Sequence, residues 1–341
     1  MILQPQNVDD AYVEIIDHIL ENGQSTDDRT GVGTTHIVGH TLKFDLAQGF
    51  PIVSIMKTVY ESAFGEMMAF LNGVTNVSGF HAWGTKVWDE FADPKTGELG
   101  PVYGGQWRNW PRECSVGGID QVYEAVELLM NPKPSRRIIV NGWNPTHHPD
   151  PTLRPFENPS QGKMSLTACH VMHQLLVNRT VSGHPRLNML MYLRSSDVGL
   201  GLKFNIAQYA MLLHRYAHAT DMMPGTLIIN IGDAHIYNNH RDALVDCVQR
   251  WKDLRARREN EQAALANPSM HTAPVEGNRV NPYLHFLSAD HPAWWDRKEG
   301  SPTIQERVGW LTGYNNPRLM KEMMQVHDYN PGRFVKLPIA V

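Results

Sequence analysis

The chain has 341 residues, 42% of them hydrophobic and 19% charged, with 31 Lys and Arg against 35 Asp and Glu and a formal net charge of −4. Such a chain has the apolar mass for a sizeable core, and its lack of basic excess excludes a general binder of nucleic acid. No stretch reaches the roughly eighteen uncharged apolar residues of a membrane span. The start MILQPQNVDD lacks the cationic and apolar blocks of a signal peptide, so a cytoplasmic protein is expected. Three cysteines, Cys114, Cys169 and Cys247, lie far apart without a CxxC. This argues against a disulfide framework or a cysteine-rich metal site and leaves room for a working thiol.

In chain order, VDDAYVEIIDHILENG places Val13, Ile16, Ile19 and Leu20 on one helical side and predicts an amphipathic helix ended by Gly23. The loop STDDRTGVGTT carries Arg29 and brackets with Gly31 and Gly33 a stretch whose amides can approach an anion; a strand, HIVGHTLKFDL, follows. TVYESAFGEMMAFLNG spaces Tyr60, Phe64, Met67, Met68 and Leu71 helically and predicts a buried helix with one acid, Glu66. From residue 135 the apolar runs turn β-like: RRIIVNGWN, SLTACHVMHQLLVN, LNMLMYLRSSD and TLIINIGD, the last preceded by the helix NIAQYAMLLHRYAHATD. Together they predict an α/β (α+β) fold, one mixed sheet packed with helices. PTHHPDPTLRPFENPSQGK, with five prolines, reads as a surface excursion, and a second irregular stretch runs from about Arg255 to Gln305. The flanking pieces are too short for separate cores. A single domain over 1–341 is expected, with insertions near 145–163 and 255–305.

Cys169 in an apolar strand is by composition a small core hydrophobe. Strand period puts Cys169 and His173 on one face about 13 Å apart, at roughly 3.3 Å per residue, and turns His170 to the other, so no shared metal is expected. Arginines raise the thiol above the bland reading. Arg29, Arg136, Arg137 and Arg194 each edge an apolar segment, three of them beside Ser or Thr. Their forked guanidiniums suit a phosphate dianion, and their field is expected to lower the thiol pKa.

The blocks PVYGGQWRNW, PSRRIIVNGWNP, ACH, RSSDVGLGLKFNIAQYAMLLHRYAH, GDAHIYNNH and the terminal KLPIAV resemble, in order, those of the thymidylate synthase family. The resemblance implies that family's fold, assembled sheet-to-sheet as a homodimer. It implies Cys169 as the nucleophile adding to C6 of a pyrimidine nucleotide and 5,10-methylenetetrahydrofolate as the one-carbon cosubstrate, without a metal. By the same likeness Arg29, Arg194 and Ser195 hold the 5′-phosphate, joined by Arg136 and Arg137 from the partner subunit. His235 and Tyr237 bind the deoxyribose, and His170 belongs to the nucleotide site. Glu66 relays protons, and Tyr103 aids removal of the C5 proton. Asp197 holds the pterin, Trp88, Leu200, Gly201 and Phe204 line the folate site, and Val341 closes as a lid.

Asn205 selects the base. Its amide can accept from N3–H and donate to O4 of uracil, so dUMP is expected rather than dCMP; as a helix N-cap it can serve both purposes. Three departures from the family pattern concern the outcome: Ala168 stands where proline is usual before the nucleophile, Leu193 where glutamine is usual before Arg-Ser, and Met56 and Lys57 in SIMKTVYES where basic residues meet the folate tail. These departures resemble viral pyrimidine hydroxymethylases and favour a deoxyuridylate hydroxymethylase, in which water adds to the C5 methylene. That reading admits host cytoplasm as the location. The alternative is a thymidylate synthase that reduces the methylene and releases dTMP and dihydrofolate; a remote alternative is an inactive nucleotide- or RNA-binding homologue.

Overall fold

The computed structural model describes residues 7–27, 30–112, 117–265, 283–286, 302–313, 316–318 and 324–327, with Tyr329, Pro331, Val335, Leu337 and Pro338. The first helix, α1 (Val8–Asn22), begins where Asn7 Oδ1 accepts from the amides of Asp9 (3.0 Å) and Asp10 (3.3 Å). Its Tyr12, Ile15, Ile16 and Ile19 are fully buried. Gly23 ends it for a reason absent from the helical pattern. Its φ of −71° suits any residue, but a Cβ there would lie 2.4 Å from the Ile19 carbonyl and 2.7 Å from Thr35 on the next strand.

Six strands form one sheet: β1 (Gln24–Thr26), β2 (Thr34–Asp45), β3 (Ile139–Asn141), β4 (His170–Arg179), β5 (Pro185–Asp197) and β6 (Met223–Tyr237). Their order is β1-β2-β6-β5-β4-β3, and only β5 and β6 run parallel, joined by the helix α6 (Leu202–Ala219). Leu187, Met189, Met191, Leu193, Leu227, Ile229 and Ile231 form a buried inner face beneath α6, against which α2 (Tyr60–Leu71) packs in turn. On the other face Leu190, Ile228 and Asn230 are half-buried and Tyr192 is exposed. The nearly continuous apolar runs, which suit a sheet covered on both faces, here leave one face open in the single chain.

Further helices among the described residues are α3 (Val77–Ala82), α4 (Tyr103–Arg108), α5 (Gln121–Leu129), α7 (Arg241–Leu265) and α8 (Ile304–Thr312). The Phe70 ring lies 4.8–6.1 Å from those of Tyr103, Phe80, Trp107 and Trp88. Each such pair contributes about 0.5–1.5 kcal/mol beyond its burial. This aromatic cluster fixes Trp88 and Tyr103 against α2.

The excursion at 145–163 is anchored to the rest of the chain. It holds short 3-10 turns at Pro145–His147 and Pro155–Gln161; Asn158 is fully buried, and the Gln106 amide lies 2.8 Å from His147 Nδ1. The second insertion is also more regular than expected. The helix α7 runs on to Leu265 through the charged RARRENEQ. The strand β7 (Tyr283–Phe286) then pairs antiparallel with β8 (Met324–His327). Residues 266–282 and 287–301 of that expectation lie outside the described residues.

Candidate active site

Sheet register gathers the site. Cys169 immediately precedes β4, at the mouth of the sheet rather than within a strand. His170 pairs with Leu193 across to β5, and the Arg194 amide donates to the Cys169 carbonyl (3.0 Å). Parallel pairing then sets Ser195 against Asp233 and Asp197 against His235. Antiparallel pairing of β6 with β2 sets Thr34 against Tyr237. The Gly33 carbonyl accepts from the Asn238 amide (3.0 Å), which holds the glycine loop at the same end.

Arg194 is the arginine that meets the thiol. Its Nη2 is 3.6 Å from Cys169 Sγ, and its remaining bonds go to the carbonyls of Ala168 (Nε, 2.8 Å) and Thr167 (Nη2, 3.1 Å). The guanidinium also lies 5.8 Å from the Trp143 ring centroid, and Trp143 packs edge-on with His148 of the anchored excursion. Burial pushes the Cys169 thiol up and Arg194 only partly offsets it. The expected lowering is therefore corrected, because one cation does not outweigh desolvation here. Arg136 and Arg137 are exposed just before β3, whose first residue, Ile139, pairs with Gln174, five residues along β4 from Cys169. Arg29, Val341 and Cys114 lie outside the described residues. Among the described residues, therefore, a single chain brings one arginine to the thiol, not four.

Beside the thiol runs a continuous hydrogen-bonded line. Trp88 Nε1 donates to Glu66 Oε1 (2.7 Å), Gln208 Nε2 donates to Glu66 Oε2 (2.5 Å), and Asn205 Nδ2 donates to Gln208 Oε1 (3.1 Å). Asn205 Nδ2 also lies 3.0 Å from His170 Nε2. Desolvation raises the Glu66 carboxyl to about 7 against these two donors. Burial lowers His170 to about 3 and keeps it neutral. Gln208, fully buried, is the member the sequence reading missed; its signal was its place one helical turn after Asn205. Trp88, expected only as a folate contact, also anchors Glu66.

Tyr103 OH accepts from the amide of Cys169 (2.8 Å) and stands 3.5 Å from that of His170. Burial holds its phenol well above the ordinary value, so it stays protonated and its hydrogen is available to a neighbouring acceptor. His235 Nδ1 lies 3.0 Å from Asp233 Oδ1, a partner the sequence reading missed, and its ring packs edge-on against Tyr237.

The turn between β5 and α6 forms the other rim. Asp197 Oδ1 accepts from the amides of Gly199 (2.9 Å) and Leu200 (3.2 Å) and lies 3.5 Å from His240 Nδ1. Leu200, Gly201 and Phe204 are half-buried on the same turn. His240 Nε2 is 2.7 Å from the Pro338 carbonyl, and Leu337 would contact a Cβ at Gly199 (3.2 Å). The described part of the C-terminal segment thus docks beside Asp197.

Strand period fails at one place with consequence. A bulge between His170 and Met172 brings His170 and His173 to the same side, where both rings pack against Tyr209. The alternation expected for Cys169, His170 and His173 is corrected accordingly. No group of three or more His, Cys, Asp or Glu with metal-binding geometry occurs among the described residues, and no described helix is long and apolar enough to cross a membrane.

A family model described as thymidylate synthase matches residues 10–277. A thymidylate synthase of Pseudomonas fluorescens is 40% identical over 233 residues, 68% of this chain and 82% of the relative. One of Francisella philomiragia is 40% identical over 239 residues, 70% of this chain and 84% of the relative. With a family match across most of its length and relatives this similar, the chain belongs to the thymidylate synthase family of one-carbon transferases.

Proposed function

We propose that the protein is a thymidylate synthase, converting dUMP to dTMP with 5,10-methylenetetrahydrofolate. The line Trp88–Glu66–Gln208–Asn205–His170 beside the Arg194-paired thiol carries this reading. Gln208 orients the Asn205 amide and leaves Oδ1 to accept N3–H of uracil. Its Nδ2 can exchange the His170 bond for O4 when the base binds. Arg194 stabilises the thiolate as Cys169 adds to C6, a deprotonation that burial alone opposes. Glu66, near neutrality, gives and takes protons at the base, and Tyr103 holds a water to receive the C5 proton.

Asp197, with Oδ2 free of hydrogen bonds to the described residues, suits the N–H donors of a pterin, beside Leu200, Gly201 and Phe204. Methylenetetrahydrofolate supplies the one-carbon unit and the hydride. The hydration outcome favoured in sequence rests on Ala168, Leu193 and the Met56–Lys57 stretch, of which Ala168 and Leu193 stand nearest the nucleophile in the chain or by pairing. Both are buried and apolar, 2% and 0% exposed, and their side chains offer water no hydrogen bond, which supports reduction instead. The relatives' names support the same outcome.

The active unit is a homodimer, with the open sheet face as the contact and Arg136 and Arg137 completing the partner's phosphate site. Their exposure, and the register that sets Ile139 beside Gln174, well along β4 from Cys169, support this. With dUMP and methylenetetrahydrofolate, the purified protein should form dTMP with the absorbance rise of dihydrofolate. A 5-hydroxymethyl nucleotide without that rise would overturn the reading in favour of a hydroxymethylase. Tritium should leave C5 of labelled dUMP, and Cys169→Ala should abolish its release while dUMP still binds. Binding without tritium release in the unaltered protein would return it to the inactive nucleotide-binding class.

A further inference from the structure

Behind His170 the site continues into a buried series of polar rings that the proposed chemistry does not use. His170 lies 4.9 Å from the Tyr103 ring and 5.3 Å from Tyr209. Next, His173 lies 5.9 Å from both Tyr209 and Tyr216 and packs edge-on against Trp107 at 5.2 Å. Trp107, His173, Tyr209 and Tyr216 are each at most 1% exposed. Yet His170 Nδ1, both ring nitrogens of His173, Trp107 Nε1 and the hydroxyls of Tyr209 and Tyr216 have no hydrogen-bond partner among the described residues. Buried polar atoms concentrated in this way are satisfied in folded proteins by bound water, each molecule bridging several of them.

The series has two ends. Tyr209 lies in the electrostatic fields of Tyr103 and Glu66, the proton-handling groups of the site, and of Tyr216. Tyr216 lies in those of Arg108 and Asp120. That pair is joined at 2.7 Å, with side chains 23% and 32% exposed, so its carboxylate reaches solvent. Desolvation keeps His173 neutral, at about 3, and both phenols protonated. A neutral imidazole holds one N–H and one lone pair, so it can take a proton on one nitrogen while releasing one from the other.

We propose that Tyr209, His173, Tyr216 and Trp107 enclose bound water, and that this water with the two phenols and His173 carries the C5 proton from the Glu66 and Tyr103 end to the Arg108–Asp120 pair. Only O–H and N–H bonds change. Each proton entering at Tyr209 is matched by one leaving at Asp120 to solvent, and His173 exchanges tautomers. The bound water stands independently of the catalytic reading; the direction of transfer rests on it.

A high-resolution crystal structure should place water within hydrogen-bond reach of His173 and of Tyr209 or Tyr216. His173→Phe should lower Tm, because it strands the atoms that this water joins. Tyr216→Phe should leave dUMP binding intact, slow C5 tritium release about tenfold, and enlarge the solvent deuterium isotope effect, which a purely structural residue would not move. Absent water, or a raised Tm in His173→Phe, overturns the hydrated cluster. Unchanged tritium release and isotope effect in both variants overturn the relay. A wild-type protein that releases no tritium would instead sink the functional reading, and the relay with it. Water and Tm, read without substrate, still judge the cluster.

Discussion

Glu66 shows how the setting of one residue becomes measurable. Its carboxyl rises from 4.5 to about 7 because desolvation outweighs the donors Gln208 and Trp88. Below about pH 4.5 it is protonated in both folded and unfolded chains. As pH rises toward 7 the unfolded chain gives up the proton first, so stability falls across that window by up to about 3 kcal/mol. Glu66→Gln should remove this loss. Its Tm should gain on the wild type from about pH 5 to about pH 8, while C5 tritium release drops about 100-fold or more. A Tm difference flat in pH would contradict the buried-carboxyl account. Asn205→Asp tests base choice: kcat/KM for tritium release should move toward dCMP by about 100-fold relative to dUMP, and an unchanged ratio would remove Asn205 from that role.

At the scale of the element, α2 works because Glu66 and Phe70 sit one turn apart on one face, so the helix that presents the acid also carries its aromatic support. The approach is close: a Cβ at Gly65 would stand 2.1 Å from the Trp83 carbonyl. Gly65→Ala should therefore destabilise by about 2 kcal/mol and lower Tm measurably, with the activity at low temperature falling as Trp88 and Glu66 separate. An unaltered Tm would show that α2 can shift freely. The helix α1 was legible in the sequence because it buries one regular face, and α2 and α6 because they are long, apolar and buried almost all round. By contrast, α3 and α4, at six residues each, are too short to show a period. The bulge at His170 and Met172 is a matter of pairing with β5, which no single strand's pattern reveals.

For the molecule as a whole, the open sheet face and the exposed Arg136 and Arg137 lead to an assembly prediction. Cys169→Ala and a double Arg136→Ala, Arg137→Ala variant should each be nearly inactive. After dissociation and remixing, part of the activity should return, because a mixed dimer holds one site with both the thiol and the partner's arginines. Full activity in the double variant, or none after mixing with dimers shown to exchange, would remove the arginines from the partner's site.

The sequence by itself determined the mixed sheet with its helices, since periodicity is a local property, and the order of its motif blocks carried, through their resemblance to a family, the expectation of which thiol, acid and amide do the chemistry. Tertiary structure decided what those residues do to each other. Burial around Cys169 defeated the expected lowering of its pKa, and the environment of Glu66 raised that acid toward neutrality, because desolvation depends on what packs around a group rather than on its neighbours in the chain. Register made one arginine a partner of the thiol and left two others facing outward. The bulge and the packing of α6 then set Tyr209, His173 and Tyr216 into one buried series, a long-range juxtaposition that strand alternation predicts wrongly.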